Sequence, residues 1–215
     1  MFDVYLITPA QSATELLARS AAALVDVPEG RVGLQLRAKH LPTSELTDLA
    51  HALRALTHKL GVALLISTDL ELARAVGADG VQLPESGPSV ELARAALGSA
   101  ALIGASRHDA VGLHAAAQWG ASFATLSPVF SVVDKGEPLG VPGFVAATRT
   151  TTLPIFALGG INALRAGELV DAGAHGVAII REVFDAARPA DALHALLDQV
   201  TRARARRGVD RVVAT

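Results

Sequence analysis

The stretch "VGLQLRAKH" (Val32 to His40) runs from a strand-like apolar pattern straight into two cations, Arg37 and Lys39. Two residues of spacing at a strand end point side chains the same way, which makes the pair a candidate clamp for phosphate or diphosphate. Arginine supplies a bidentate fork and lysine a mobile point charge. The alternative is that one of them pairs with Glu85 or Asp69 while the other reaches solvent. "FALGGIN" (Phe156 to Asn162) is a second anion signal: Gly159 and Gly160 lack side chains where a strand opens, and Asn162 follows as a helix cap. A tight turn would use the same glycines. "AIIREVF" places Ile180 and Arg181 at another strand end, next to the phosphate position that barrel enzymes reuse. "GASRHD" offers Ser106 and His108, and histidine is the side chain best suited to proton transfer near neutral pH; a surface histidine beside an Asp cap is the plainer reading. Lys135 stands in "SPVFSVVDKGEPLGVPG" (Ser127 to Gly143), a long connection whose prolines, glycines and charges suit a loop closing over a mouth, with Asp134 and Glu137 as solvated charges. Metal ligation has only weak candidates, Asp69 and Glu85, because the carboxylates are scattered singles.

Those residues need a frame. Short apolar segments recur at 3–8, 32–37, 62–67, 79–83, 101–106, 122–127, 154–159 and 175–180, and between them lie Ala- and Leu-rich segments of helical period. In "DLELARAV", Leu72, Ala73 and Val76 form one stripe. Caps are expected at Ser12 with Glu15, at Ser89, at Asp109 and at Asn162. A weak repeat, "AVGADGVQL", "QWGASFATL" and "DAGAHGVAII", puts Gly77, Gly120 and Gly173 where a helix ends in a left-handed residue. Eight strands apolar on both faces, each followed by a helix, predict an α/β fold, a single (β/α)8 TIM barrel spanning 1–215, in preference to a doubly wound sheet. His108 and Ser106 then rise above the fourth or fifth strand, and Thr8, Ser67 to Asp69, Pro84 and Glu85 join the same rim.

The 215 residues, 51% apolar with a formal charge of -2, suit one well-buried core. There is no cysteine, so disulfides, thiolate metal sites and cysteine nucleophiles are excluded. No apolar run approaches the roughly 20 residues of a membrane span, and "MFDVYLIT" lacks the features of a signal peptide, so a cytoplasmic protein with no membrane role is expected. The basic run "RARARRG" (Arg202 to Gly208) reads as the solvated face of a last helix; with aromatics at 4%, no stacking platform for nucleic acid is visible.

In combination, "QLRAK", "AVGADGVQL", "GASRH", "SPVF" with Lys135, and "FALGGI" resemble the thiamine phosphate synthase and TenI-like thiazole tautomerase superfamily, from "VYLIT" to "GVAIIREVF". The resemblance implies a (β/α)8 barrel acting in thiamine assembly, commonly a homodimer, with a phosphorylated thiazole as ligand. In the synthase, magnesium and basic residues hold hydroxymethylpyrimidine diphosphate while the thiazole phosphate nitrogen captures the pyrimidine methylene as diphosphate leaves. By that resemblance Gln35, Arg37 and Lys39 match contacts to the pyrimidine and its diphosphate, Ser106 a diphosphate contact, Lys135 the lysine after the sixth strand, and Gly160 the thiazole phosphate site.

The chain also departs from the synthase pattern. Ser67-Thr68 replaces the usual Asn-Asp, leaving Asp69 one position late. "GVQLPESG" replaces "GVHLGQxD", with Gln82 for the histidine and no aspartate at the ligand position. Val132 and Asp134 replace threonines, and Arg181 stands where a small residue is usual. Losing two magnesium carboxylates weakens stabilisation of a multiply charged leaving group. The TenI-like reaction, tautomerisation of a thiazole carboxylate phosphate, needs a phosphate grip and a proton shuttle; the family's catalytic histidine matches His108, with Arg37 or Lys39 on the carboxylate. The expected function is therefore a thiazole tautomerase with no cofactor. The alternatives are a thiamine phosphate synthase using Mg2+ and a non-catalytic binder of a phosphorylated ligand.

Overall fold

A computed structural model describes residues 1–133 and 135–213, with side chains through Arg207. Asp134, read above as a loop charge, and Gly208, the end of the basic run, lie outside the described residues and side chains respectively.

Eight parallel strands close into a barrel in sequence order. The elements are β1 (Val4–Ile7), α1 (Ala13–Ala23), β2 (Val32–Leu36), α2 (Thr43–Lys59), β3 (Ala63–Ser67), α3 (Leu70–Val76), β4 (Gly80–Leu83), α4 (Val90–Leu97), β5 (Leu102–Arg107), α5 (Ala110–Gln118), β6 (Phe123–Leu126), α6 (Gly140–Thr148), β7 (Ile155–Leu158), α7 (Ala163–Asp171), β8 (Gly176–Ile179), α8 (Arg181–Phe184) and α9 (Pro189–Val213). The predicted alternation holds, except that two helices follow β8. Closure joins β1 to β8 through Val4 opposite Val177 and Leu6 opposite Ile179. Among the described residues no helix is long and apolar enough to cross a membrane.

The caps form where their side chains predict. Ser12 and Glu15 make a reciprocal capping box, and Ser89, Asp109 and Asn162 each accept from the amide three residues on. The glycine repeat is a recurring helix stop: the amides of Gly77, Gly120 and Gly173 bond back to Arg74, Ala117 and Val170, and the next alanine reaches back five residues in each case. This is the Schellman pattern, which lets a short helix turn sharply into the next strand. Gly77 adopts φ 65°, a left-handed conformation that a Cβ would strain.

Strand alternation divides the core into two layers. Val4, Leu6, Leu34, Leu64, Val81 and Ile103 face the helices, whereas Phe2, Tyr5, Phe123 and Phe156 turn inward and meet ring to ring with centroids 5.1 to 6.1 Å apart. The rings fill the N-terminal half of the barrel as a solid plug. Gly33 makes room for it, since a Cβ there would come within 2.6 Å of the Phe2 ring. Asp3, buried beside the plug, accepts from both Arg31 and Arg204 and so ties β1 to the last helix. Everything above the plug is free to be polar.

Candidate active site

At the C-terminal ends of the strands lies a cavity of about 910 Å³. Gln35, Arg37, Lys39, Ser106, His108 and Lys135 all line it, and so do Gly159, Gly160, Ile180 and Arg181. Residues far apart in the chain thus converge on one hollow, because each follows or ends a strand of the same barrel.

Arg37 is the first residue after β2, and its backbone is fixed by Thr8, expected above only as a member of the rim. Its amide donates to Thr8 Oγ1 at 2.8 Å, and that hydroxyl donates back to Arg37 O at 3.2 Å. Thr8 is fully buried, so this cross-strand bracket aims the start of the "RAK" segment over the cavity. The alternative pairing of Arg37 or Lys39 with Asp69 or Glu85 does not form: no carboxylate among the described residues comes within 4.0 Å of either cation.

His108 follows β5, which resolves the choice between the fourth and fifth strands. Its Nδ1 lies 2.6 Å from Ser127 O. A carbonyl only accepts, so the neutral ring keeps its proton on Nδ1 and leaves Nε2 as the bare nitrogen of an exposed residue at the cavity wall. One strand position earlier but one, Ser106 Oγ accepts from Gln82 Nε2 at 2.9 Å, which leaves the hydroxyl proton free to donate to a ligand. Gln82 is buried and its Oε1 finds no partner among the described residues. On the opposite face of the strand, away from the cavity, Arg107 donates to Ser106 O at 2.7 Å and to Gly112 O at 3.2 Å. Burial pulls its guanidinium below the ordinary arginine value, and the Glu85 carboxylate opposes that.

The connection after β6 runs along β7. Val129 donates to Leu158 O at 2.9 Å and Phe130 to Gly159 O at 3.1 Å. Leu139 and Gly140 donate back to Pro128 and Val129, stapling the base of the loop and leaving Val132 and Lys135 at the cavity. The close approach explains the two glycines: a Cβ on Gly160 would lie 2.9 Å from Phe130 Cβ, and φ is 63°. The amides of Gly160, Ile161 and Arg181 donate to no protein acceptor among the described residues, which leaves them able to receive an anion. Two further charged residues that sequence reasoning missed, Arg165 and Glu182, also line the cavity. Both belong to first helical turns, where a charge on a polar face looks like any solvated residue.

Magnesium is what the condensing reaction would require, and the donors present do not fit a carboxylate-built site. Asp69 is not at the cavity: its Oδ1 accepts from Leu72 N at 2.9 Å as the cap of α3. The metal candidacy read from its position thus meets a helix cap, as favourable a use for a carboxylate there. Glu85 lines the cavity but faces Arg107. No group of three or more His, Asp or Glu among the described residues could hold an ion.

Comparison with known proteins matches residues 4–183 to the thiamine monophosphate synthase (TMP-TENI) family. A Geobacter sulfurreducens protein provisionally named a thiamine-phosphate synthase is 43% identical over 209 residues, covering 94% of this chain and 97% of its own. The thiamine-phosphate synthase of Moorella thermoacetica is 35% identical over 178 residues, 81% of this chain and 85% of its own. Among solved structures, the thiamine phosphate pyrophosphorylase of Pyrococcus furiosus superposes with a TM-score of 0.81 at 26% identity, covering 94% of this chain and 96% of its own. The chain belongs to the thiamine monophosphate synthase and TenI family.

Proposed function

We propose that this protein is a thiazole tautomerase: it holds a thiazole carboxylate phosphate in the cavity and moves one proton on the ring. The observation that carries the reading is the His108 geometry, with Nδ1 fixed by Ser127 O and Nε2 left bare at the wall. A base with a defined tautomer can take a proton from one carbon of the ligand at Nε2 and return it to another, while Nδ1–H···O=C stabilises the imidazolium that exists between the two transfers. The ligand phosphate is received by the Gly159-Gly160 turn and the Ile180-Arg181 strand end, and the carboxylate by Arg37 and Lys39. Charge supports this: the lining carries Arg37, Lys39, Lys135, Arg165 and Arg181 against Glu85 and Glu182, so it suits a ligand with more negative charge than one phosphate supplies.

A second reading is carried by the comparisons. The relatives named above bear the synthase name, and that likeness backs a condensing enzyme more strongly than an isomerase. In that case Gln35, Arg37, Lys39, Ser106 and Lys135 would grip the pyrimidine diphosphate, and the ion would have to be held mainly by water and substrate oxygens.

One experiment separates these. Purified protein is offered thiazole carboxylate phosphate alone and, separately, thiazole phosphate with hydroxymethylpyrimidine diphosphate and Mg2+, and products are identified by mass and NMR. Isomerisation in the first mixture supports the tautomerase; thiamine phosphate in the second only would replace it with the synthase. Ligand binding without product in either would leave a phosphate binder.

A further inference from the structure

Arg165 brings to the cavity a cation that the family motifs do not account for. It stands in the first turn of α7, where its amide donates to Asn162 Oδ1 at 3.0 Å. Its side chain folds back over the strand ends. The guanidinium carbon lies 4.2 Å from the centroid of the Phe130 ring, and Nη1 donates to Gly160 O. Nη1 is also 3.5 Å from where a Cβ on Gly160 would stand, so the fork is beside the turn that receives an anion.

Three features separate this from a solvated arginine. The side chain is half-buried and lines the cavity. No carboxylate among the described residues lies within 4.0 Å of it. The Phe130 ring holds the planar group in place without neutralising its charge. Of the five N–H donors of a guanidinium, Nη1 alone finds an acceptor among the described residues, on Gly160 O, and the others remain for ligand oxygens.

We infer that Arg165 is a phosphate-binding residue of this cavity, and that by joining Phe130 to Gly160 it ties the loop bearing Lys135 to the Gly159-Gly160 turn. The inference rests on the proposed reading of that turn as the phosphate end of the site. Arg165 would set the preference for a doubly charged phosphate over a neutral or singly charged group, because a fork matches two oxygens at once.

The test uses the full chain with Arg165→Met, which keeps an apolar stem over Phe130 and removes the charge, and Arg165→Lys, which keeps the charge and removes the fork. Binding of inorganic phosphate and the KM and kcat for whichever substrate the parent turns over are measured, with circular dichroism as a check of folding. We expect Arg165→Met to weaken phosphate binding and raise KM about tenfold or more, with kcat within about twofold, and Arg165→Lys to fall between it and the parent. Phosphate affinity and KM unchanged in a folded Arg165→Met would overturn the inference and leave the phosphate reading intact. A parent that binds no phosphate would remove that reading and the inference with it. Should the Met variant not fold, an unchanged KM in Arg165→Lys counts against the fork.

Discussion

The two halves of this barrel are built on opposite rules. Below, four aromatic rings pack against one another and a buried carboxylate meets two arginines, so that apolar surface and charge are both satisfied within the protein, although the Tyr5 hydroxyl finds no partner among the described residues. Above, among the described residues, cations stand without carboxylate partners, amides meet no acceptor, and Gln82 buries an unpaired oxygen. Stability is concentrated in the lower half and polar groups left for a ligand in the upper, the usual division of a (β/α)8 barrel.

That contrast can be broken first at the plug. Phe156→Ala, which removes a buried ring packed on Phe2, Tyr5 and Phe123, should cost about 3 to 5 kcal/mol of stability by denaturant titration. If the cavity governed stability instead, the loss would be far smaller. Asp3→Asn leaves Arg31 and Arg204 without their shared carboxylate. Because those arginines are about a third exposed, water covers part of the loss, and we expect about 2 kcal/mol. In neither variant should the KM of the folded fraction change.

A smaller effect should run the other way at the top. Thr68, just after β3, holds φ 70°, and its buried Oγ1 finds no partner among the described residues. A β-branched residue is strained there, so Thr68→Gly should raise stability by about 0.5 to 1 kcal/mol. A melting temperature that falls would show that the strain is compensated elsewhere.

How much of this was legible in the sequence follows from the range of the forces involved. Caps and helix stops are local, so Ser12, Ser89, Asp109, Asn162 and the three glycines could be read directly. Rim position follows from strand ends, which is why Arg37, His108, Lys135 and Gly160 meet in one cavity as expected. What needed the closed barrel was not legible. Thr8 brackets Arg37 across 29 residues of chain, and Phe2 joins the plug from ahead of β1. Asp69 shows the opposite failure: its position suggested a ligand, while the nearest unsatisfied groups were the amides of its own helix.

The smallest expected effect is a pH dependence of the lower half. His175 packs on Phe156, and its Nε2 donates to Phe2 O at 3.1 Å. Burial first, then Arg204, holds its pKa below the ordinary histidine value. A depressed folded value means that the unfolded chain takes the proton more readily. Stability should therefore be complete above the unfolded pKa and decline as pH falls from there through the folded value. His175→Gln should flatten that slope and leave turnover at neutral pH unchanged.

The central claim, that this upper half moves a proton on a phosphorylated thiazole through His108, is tested most directly by NMR in D2O. Solvent deuterium is followed into the carbon-bound positions of thiazole carboxylate phosphate with the parent and with His108→Gln. We predict incorporation by the parent, a loss of about 100-fold or more in the variant, and phosphate binding retained by both. Equal incorporation by the two proteins, or none by a parent that binds the compound, would contradict it.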